Sequence, residues 1–318
     1  MDSQPNISKA TIFHFNDLHR RLKPFKDGTG GADKLVGKLR ELESENPDAV
    51  TVNVGDVAGD NTPQGPDQFS PIPGLFNRAG VDILGLGNHE FEDPKGDYKS
   101  LREGLIKPFK GEVLAANVTM ADGSPIEGTK PYTIRKLQEH SIAFIGVVTR
   151  NLASAVFPAA GAGLATMPIE DTLLELIPKV KAEGADAVVV LGHDNLTNMQ
   201  EVAKNVPGVD VVLAAHDHRP TEKPIEVVRD DGSKAWVAEA DAYGKSVGEV
   251  NLIFQDKKLV DVEGGLLQID QSAPSDAEAK KLADAHKPAA KVRIPKKAKM
   301  ETVSSFAELA ERLFKEPE

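Results

Sequence analysis

Aspartate, asparagine and histidine recur in this chain at the ends of apolar runs, and these are the common oxygen and nitrogen donors to divalent cations. The run Phe13 to Asn16 ends in Asp17-Leu18-His19, Val50 to Val54 in Gly55-Asp56, and Val81 to Leu86 in Gly87-Asn88-His89-Glu90. Ala187 to Leu191 ends in Gly192-His193, and Val209 to Ala215 in His216-Asp217-His218. Asp17, His19, Asp56, Asn88, His193, His216 and His218 together offer seven donors, of which two are carboxylates. One divalent ion takes about four to six ligands, so seven donors with one able to bridge suit two ions roughly 3.5 to 4 Å apart. Imidazole, carboxylate and amide without thiolate favour zinc, manganese, iron or cobalt. Two dications facing two carboxylates leave a positive local charge that attracts phosphate. They would also polarise phosphoryl oxygens and bring the pKa of a bound water toward about 7, making hydroxide available for in-line attack. His89 adjoins Asn88 but is not needed as a ligand, so it is placed to steady developing charge or to protonate the leaving oxygen.

Taken singly, each of these residues has a plainer reading. A histidine or aspartate after a strand is by default a loop residue, and Gly-Asp is an ordinary turn. Five repetitions of one pattern carry more weight than any member. His14 falls on the strand face opposite Asp17 and reads as a packed histidine; His140 reads as a solvated hairpin-turn residue and His286 as an exposed helix residue. The segment Lys291 to Lys299 reads as a solvated connector.

The elements that must position the donors alternate. Ala10 to Asn16 predicts a strand, after which Asp17 and His19, two apart in extended chain, would share one face. Leu35, Leu39 and Leu42 give Asp33 to Glu45 a helical stripe. Strand Ala49 to Val54, a short helix near Pro73 to Ala79, the strand before Gly87, a helix over Tyr98 to Ile106 and a strand over Glu112 to Val118 continue the alternation, which implies parallel crossovers. Tyr132 to Leu137 and Ser141 to Val148 predict a hairpin. Pro168 to Gly184 reads as a helix that Pro178 kinks or ends. Strands at Ala187 to Leu191 and Val209 to Ala215 flank a helix near Asn198 to Asn205, and the chain is β-rich from Ile225 to Glu263. Two halves, each with a sheet and outer helices, predict an α/β fold: a four-layer α/β/β/α sandwich of two mixed sheets. After Asp270, Ser275-Asp276-Ala277-Glu278 reads as a capping box opening a helix, and a last helix starts at Ser305. The expected organisation is a catalytic domain over 8–270 and a helical C-terminal extension with a basic connector over 271–318.

Length and composition bound the function. With 318 residues, 40% of them hydrophobic, the chain can bury a large core. A net charge of -11 excludes general attraction to nucleic acid or to acidic membrane surfaces, so an anionic substrate needs a local positive source. The absence of cysteine removes disulfides, thiolate ligands and thiol nucleophiles. No apolar run approaches the roughly 20 residues of a membrane helix. Met1 to Ala10 is polar, so the expected location is cytoplasmic as written, or periplasmic or secreted if a leader was removed ahead of it. The oligomeric state is not readable from composition.

The order Asp-x-His, Gly-Asp, Gly-Asn-His-Glu, Gly-His and His-x-His resembles the calcineurin-like metallophosphoesterase superfamily. Gly87-Asn88-His89-Glu90-Phe91, Leu114-Ala115-Ala116-Asn117-Val118 and Ala242-Tyr243-Gly244-Lys245 look like its 5'-nucleotidase and 2',3'-cyclic phosphodiesterase branch, so the similarity spans about Thr11 to Asp270. The resemblance implies one metal held by Asp17, His19, Asp56 and His218 and a second by Asp56, Asn88, His193 and His216. It also implies a catalytic His89 and a substrate contact at Asn117. In that branch an aspartate usually stands three residues after the catalytic histidine; here Glu92 does, with Asp93 next, and both are candidates to orient the imidazole. Ala215 stands where a glycine usually precedes the penultimate histidine. Asn195 stands where glycine often follows the fourth motif, an exchange tolerated in left-handed conformation. Relatives with nucleotide specificity carry a second, C-terminal domain with an aromatic base clamp, and the stretch 271–318 is too short for one. The expectation is therefore an enzyme that hydrolyses a small phosphomonoester or cyclic phosphodiester, nucleotides included. A related hydrolase of a sulfur-containing or carrier-linked substrate, similar to a thiosulfohydrolase, is the alternative within enzymes. An inactive scaffold of the same fold is the alternative outside them.

Overall fold

A computed structural model describes residues 6–59, 66–92, 98–156 and 163–286. Asp93, the basic connector and the last expected helix lie outside the described residues. In chain order the strands are β1 Ile7–Phe15, β2 Val50–Asn53, β3 Ile83–Gly85, β4 Glu112–Leu114, β5 Val118–Met120, β6 Thr129–Lys130 and β7 Tyr132–Leu137. They continue with β8 His140–Val148, β9 Leu164–Thr166, β10 Ala187–His193, β11 Val211–Ala214, β12 Ile225–Val228, β13 Lys234–Glu239, β14 Ser246–Gln255 and β15 Lys258–Gln268. The helices are α1 Ala32–Glu45, α2 Ile72–Arg78, α3 Lys99–Leu101, α4 Leu152–Ala155, α5 Ile169–Ala182, α6 Leu196–Asn205 and α7 Ala277–Ala285.

The strands form two large mixed sheets. One has the order β15-β14-β1-β2-β3-β4-β6 and the other β12-β13-β11-β10-β8-β7. Each has a parallel centre, β1, β2, β3, β4 and β6 in the first and β8, β10, β11 and β13 in the second, with antiparallel partners β14, β15, β7 and β12 toward the edges. Strands buried on both faces read as continuous apolar runs, and their alternate side chains serve different layers. Ile12, Val52 and Ile83 meet Phe144, Val189 and Leu213 in the seam between the sheets. Their neighbours Phe13, Phe15 and Leu84 face α1, α2, α3 and α7, while Val188, Val190 and Val212 face α5 and α6. The outcome is the four-layer α/β/β/α sandwich that the sequence predicts. Among the described residues no helix is long and apolar enough to cross a membrane.

Several local expectations change. The strand expected over Glu112 to Val118 breaks in two, and β5 leaves the sheet to pair antiparallel with β9. Pro178 sits inside α5 without ending it. The carbonyl that loses its partner belongs to Leu174, a residue on the solvent side of the helix. Asp276, not Ser275, caps α7 by accepting from the Ala279 N–H at 2.8 Å. Ala279 and Ala283 of α7 join the core against α1 and α2, and Asp276 pairs with Arg78 and with Arg40. The start of the expected extension is thus part of the helical layer. His140 is wholly buried, stacked on Phe254 and bonded to Ser8 Oγ at 2.7 Å, because the hairpin turn tucks against β14 rather than facing water.

Candidate metal centre

The donor residues follow the C-terminal ends of β1, β2 and β3 in one sheet and of β10 and β11 in the other, the edge at which α/β sheets place their ligands. Asp17 and His19 reach a common cluster by a route that extended chain does not offer. Asp17, His19, Asp56, His216 and His218 have φ of 48°, 45°, 51°, 95° and 55°. Left-handed backbone costs an L-residue roughly 1 to 2 kcal/mol, so the surrounding contacts must hold each one there. The loops after β1 and β2 run side by side: Asp17 N–H donates to Gly55 O, His19 N–H to Asp56 O, and Arg20 N–H to Val57 O, at 2.9 to 3.0 Å. Two glycines let the loops touch. A Cβ on Gly55 would stand 2.5 Å from Gly87 N, and one on Gly87 would stand 2.2 Å from Asp56 Oδ1.

Two donor groups result. In the first, His19 Nε2 and His218 Nε2 are 3.0 Å apart and stand 3.6 and 3.5 Å from Asp17 Oδ1. In the second, His193 Nε2 lies 3.1 Å from Asp56 Oδ2, and His216 offers a ring nitrogen within 4.8 Å of both. Asp56 also stands within 4.8 Å of donor nitrogens of His19 and His89, so it lies between the two groups.

These residues fit divalent cations on three observations. Among the described residues Asp17 Oδ1 and Asn88 Oδ1 are buried oxygens without a hydrogen-bond partner, although an unpaired buried acceptor is costly. His19 Nδ1 lies 3.1 Å from Ala58 O and His193 Nδ1 lies 2.7 Å from Val54 O. A carbonyl can only accept, which places the proton on Nδ1 and turns the Nε2 lone pairs into the cluster. Donor separations of 3.0 to 3.6 Å bracket the roughly 3.3 Å edge of a tetrahedron of ligands at about 2.0 Å from a cation.

The charges are tightly linked. Burial pushes the His193 imidazole down, but Asp56 beside it overrides this and raises it to about 10. Burial pushes Asp56 up, and the same histidine, with His89 and His19, holds it well below the usual carboxylate range. Burial lowers His19 and His216, whereas the Asp17 carboxylate 3.5 Å from its ring raises His218.

His89 borders the cluster. Its Nε2 lies 3.9 Å from Asp56 Oδ2, and its Nδ1 lies 3.1 Å from Glu92 Oε1, so the longer glutamate arm spans the distance to the ring. Asn117 stands between β4 and β5. It is buried, its Nδ2 donates to Val148 O at 2.8 Å and to Met167 O at 3.3 Å, and its Oδ1 accepts from Val148 N–H at 2.8 Å. The amide thus acts as a brace where β4 and β5 part. Asn195 is also not left-handed; at φ -56° and ψ 151° it caps α6 by accepting from Asn198 N–H.

Two buried acids position the site and were not assigned a role from sequence. Glu90 accepts four backbone N–H groups, from Asp56, Val57, Ala58 and Gly87, at 2.7 to 3.0 Å. Its place in Gly87-Asn88-His89-Glu90 was the available signal. Glu239 accepts the Arg219 N–H at 2.8 Å, holding the loop that carries His216 and His218; a charged residue closing the apolar strand β13 was its only mark.

Residues 10–220 match the family described as calcineurin-like phosphoesterase. A snake venom 5'-nucleotidase of Gloydius brevicauda is 28% identical over 303 residues, covering 86% of this chain and 50% of its own length. The 5'-nucleotidase of Bos taurus is 27% identical over 307 residues, with 86% and 51% covered. The chain thus spans about half the length of the relatives it matches. A 5'-nucleotidase precursor of Thermus thermophilus superposes with a TM-score of 0.77 at 22% identity, over 87% of this chain and 58% of that one. A sulfate thiohydrolase of the same genus, SoxB, superposes at 0.73 and 19% identity, over 87% and 60%. At these identities the superpositions establish the fold, and the sequence match over most of the described sandwich establishes that this chain belongs to the calcineurin-like phosphoesterase family.

Proposed function

We propose that the protein is a dinuclear metal-dependent phosphoesterase of the 5'-nucleotidase type, acting on phosphomonoesters or cyclic phosphodiesters. The observation that carries this reading is the pair of donor groups with Asp56 between them. Asp17, His19 and His218 would hold one cation, His193, His216 and Asn88 the other, and Asp56 would bridge. Divalent cations bound there supply Lewis acidity toward phosphoryl oxygens and a water acidified to near neutrality.

The chain's own residues do the rest. Nδ1–H donation to carbonyls fixes the rings of His19 and His193 so that Nε2 faces inward. Glu92 Oε1, 3.1 Å from His89 Nδ1, would orient the imidazole. In the hydrolysis, oxygen from water bonds to phosphorus, the ester P–O bond breaks, His89 Nε2 gives its proton to the departing oxygen, and the proton released from the water restores the imidazolium through solvent.

The similarity to 5'-nucleotidases supports a nucleotide ester among the substrates, with the metals drawn from manganese, zinc, iron and cobalt. The test is hydrolysis of p-nitrophenyl phosphate, bis-p-nitrophenyl phosphate, nucleoside 5'-monophosphates and 2',3'-cyclic nucleotides by protein reconstituted with manganese or zinc. Turnover that a chelator abolishes is expected. Inactivity of metal-loaded protein across the panel would favour a scaffold that kept the fold.

A further inference from the structure

A cationic ledge borders the cluster on the side of His19 and His218. The ring of Tyr243 lies 5.5 Å from His19 and 5.1 Å from His218, and the ring of Phe25 lies 6.1 Å beyond it. The guanidinium carbon of Arg21 sits 4.2 Å from the Phe25 centroid, and Lys245 Nζ sits 5.2 Å from Phe25 and 5.7 Å from Tyr243. The ledge is anchored to the site. Tyr243 is left-handed, at φ 64°, and its N–H donates 2.8 Å to the carbonyl of Asp17. Phe25 closes a turn with Thr29 and Gly28, and a Cβ on Gly30 would stand 3.2 Å from Tyr243 O.

Charge decides what such a ledge recognises. Lys245 has Asp241 at 3.6 Å, while exposed Arg21 makes no ion pair among the described residues. In a chain of net charge -11, two cations share one aromatic ring here, with Asp241 beside Lys245 and Asp27 within range of its charge. Arg21 covers a face of Phe25, so that face is taken and a stacked base is the poorer fit. A flat guanidinium held over a ring keeps its N–H groups at its rim, where a tetrahedral anion can meet them.

We propose that Arg21, Lys245, Phe25 and Tyr243 form a second phosphate subsite beside the metal cluster, so that the site selects esters that carry another phosphate, such as nucleoside bisphosphates. The proposal rests on the phosphoesterase reading for its catalytic meaning, but not for its binding.

The test compares adenosine 3',5'-bisphosphate with adenosine 5'-monophosphate on metal-loaded protein, by titration calorimetry and, separately, by kcat/KM. The bisphosphate is expected to bind at least about tenfold more tightly, the equivalent of one charge-assisted contact. That ratio should shrink as salt rises from about 50 to 200 mM. It should fall toward one in Arg21→Ala/Lys245→Ala and survive in Lys245→Arg. If the double variant does not fold, Arg21→Ala alone, at an exposed position, gives the same reading. A wild-type ratio near one, or a ratio unchanged in the variants, overturns the subsite. Turnover of p-nitrophenyl phosphate without the ratio would sink the ledge alone. The ratio without any turnover would keep the ledge and remove the phosphoesterase reading.

Discussion

Glu90 holds Asp56 by the main chain, its Oε2 accepting the Asp56 N–H at 2.9 Å while the Asp56 carboxylate is left to face the histidines. The other Glu90 oxygen takes the N–H groups of Val57 and Ala58, and Oε2 also takes that of Gly87. One carboxylate thereby ties the loop after β2 to the loop after β3.

Glu90→Gln would turn an amide NH2 toward two of those N–H donors. Each orphaned buried donor costs about 1 to 3 kcal/mol, so the thermal midpoint should drop by at least roughly 4 °C. Manganese affinity should fall with it. Calorimetric unfolding and metal analysis of purified protein check this, and a variant that matches wild type in both would show that the brace is dispensable.

Cation binding should stabilise the fold. At a free metal concentration of about 100 times Kd the gain is about 2.7 kcal/mol, read as a rise of several degrees in the unfolding midpoint on adding manganese or zinc. Asp56→Asn and His193→Ala should each lose most of that rise, because they remove donors 3.1 Å apart in one group. An undiminished rise in both variants would locate the cations elsewhere.

His89→Asn should lower kcat by about 10²-fold or more, the usual contribution of a general acid, with metal content intact. Glu92→Gln should lower it less, because it keeps a side chain of the same length beside the ring. Loss of metal from His89→Asn would make that residue a ligand instead.

Glu239 links pH to stability. Burial, with Asp217 and Asp17 nearby, raises its carboxyl from 4.5 to about 8. A raised folded-state pKa means that the native protein keeps a proton the unfolded chain has released. The contribution is therefore whole below 4.5 and is lost as pH climbs through about 8. Glu239→Gln removes the titration but keeps an oxygen for the Arg219 N–H. The wild-type-minus-variant stability from urea unfolding should fall between about pH 5 and pH 8, by at most about 1.4 kcal/mol per pH unit. A flat difference would mean the acid is ionised in the fold.

The donors were legible because they interrupt apolar runs: Asp17, His19, Asp56, Asn88, His193, His216 and His218 each follow a segment that must be a buried strand. The layer order followed from the same runs, since alternate residues such as Ile12 and Phe13 need apolar cover on two sides. Other features carried no local signal. Nothing in Asp17-Leu18-His19 announces left-handed backbone, which glycine would ordinarily mark. The brace made by Asn117 was hidden because its bonding partners, Val148 and Met167, lie far along the chain. His140 looked solvated because Phe254, the ring that covers it, lies far along the chain.

By itself, then, the order of residues determined which side chains are costly to bury without a use, and on which strand ends they stand. Only the tertiary structure decided that they meet, that Glu90 and Glu239 hold their loops, and that Arg21 and Lys245 share one ring beside them. The reason is physical: periodicity and composition report on neighbours along the chain, whereas a strained loop or a buried charge survives only through partners the fold brings from elsewhere.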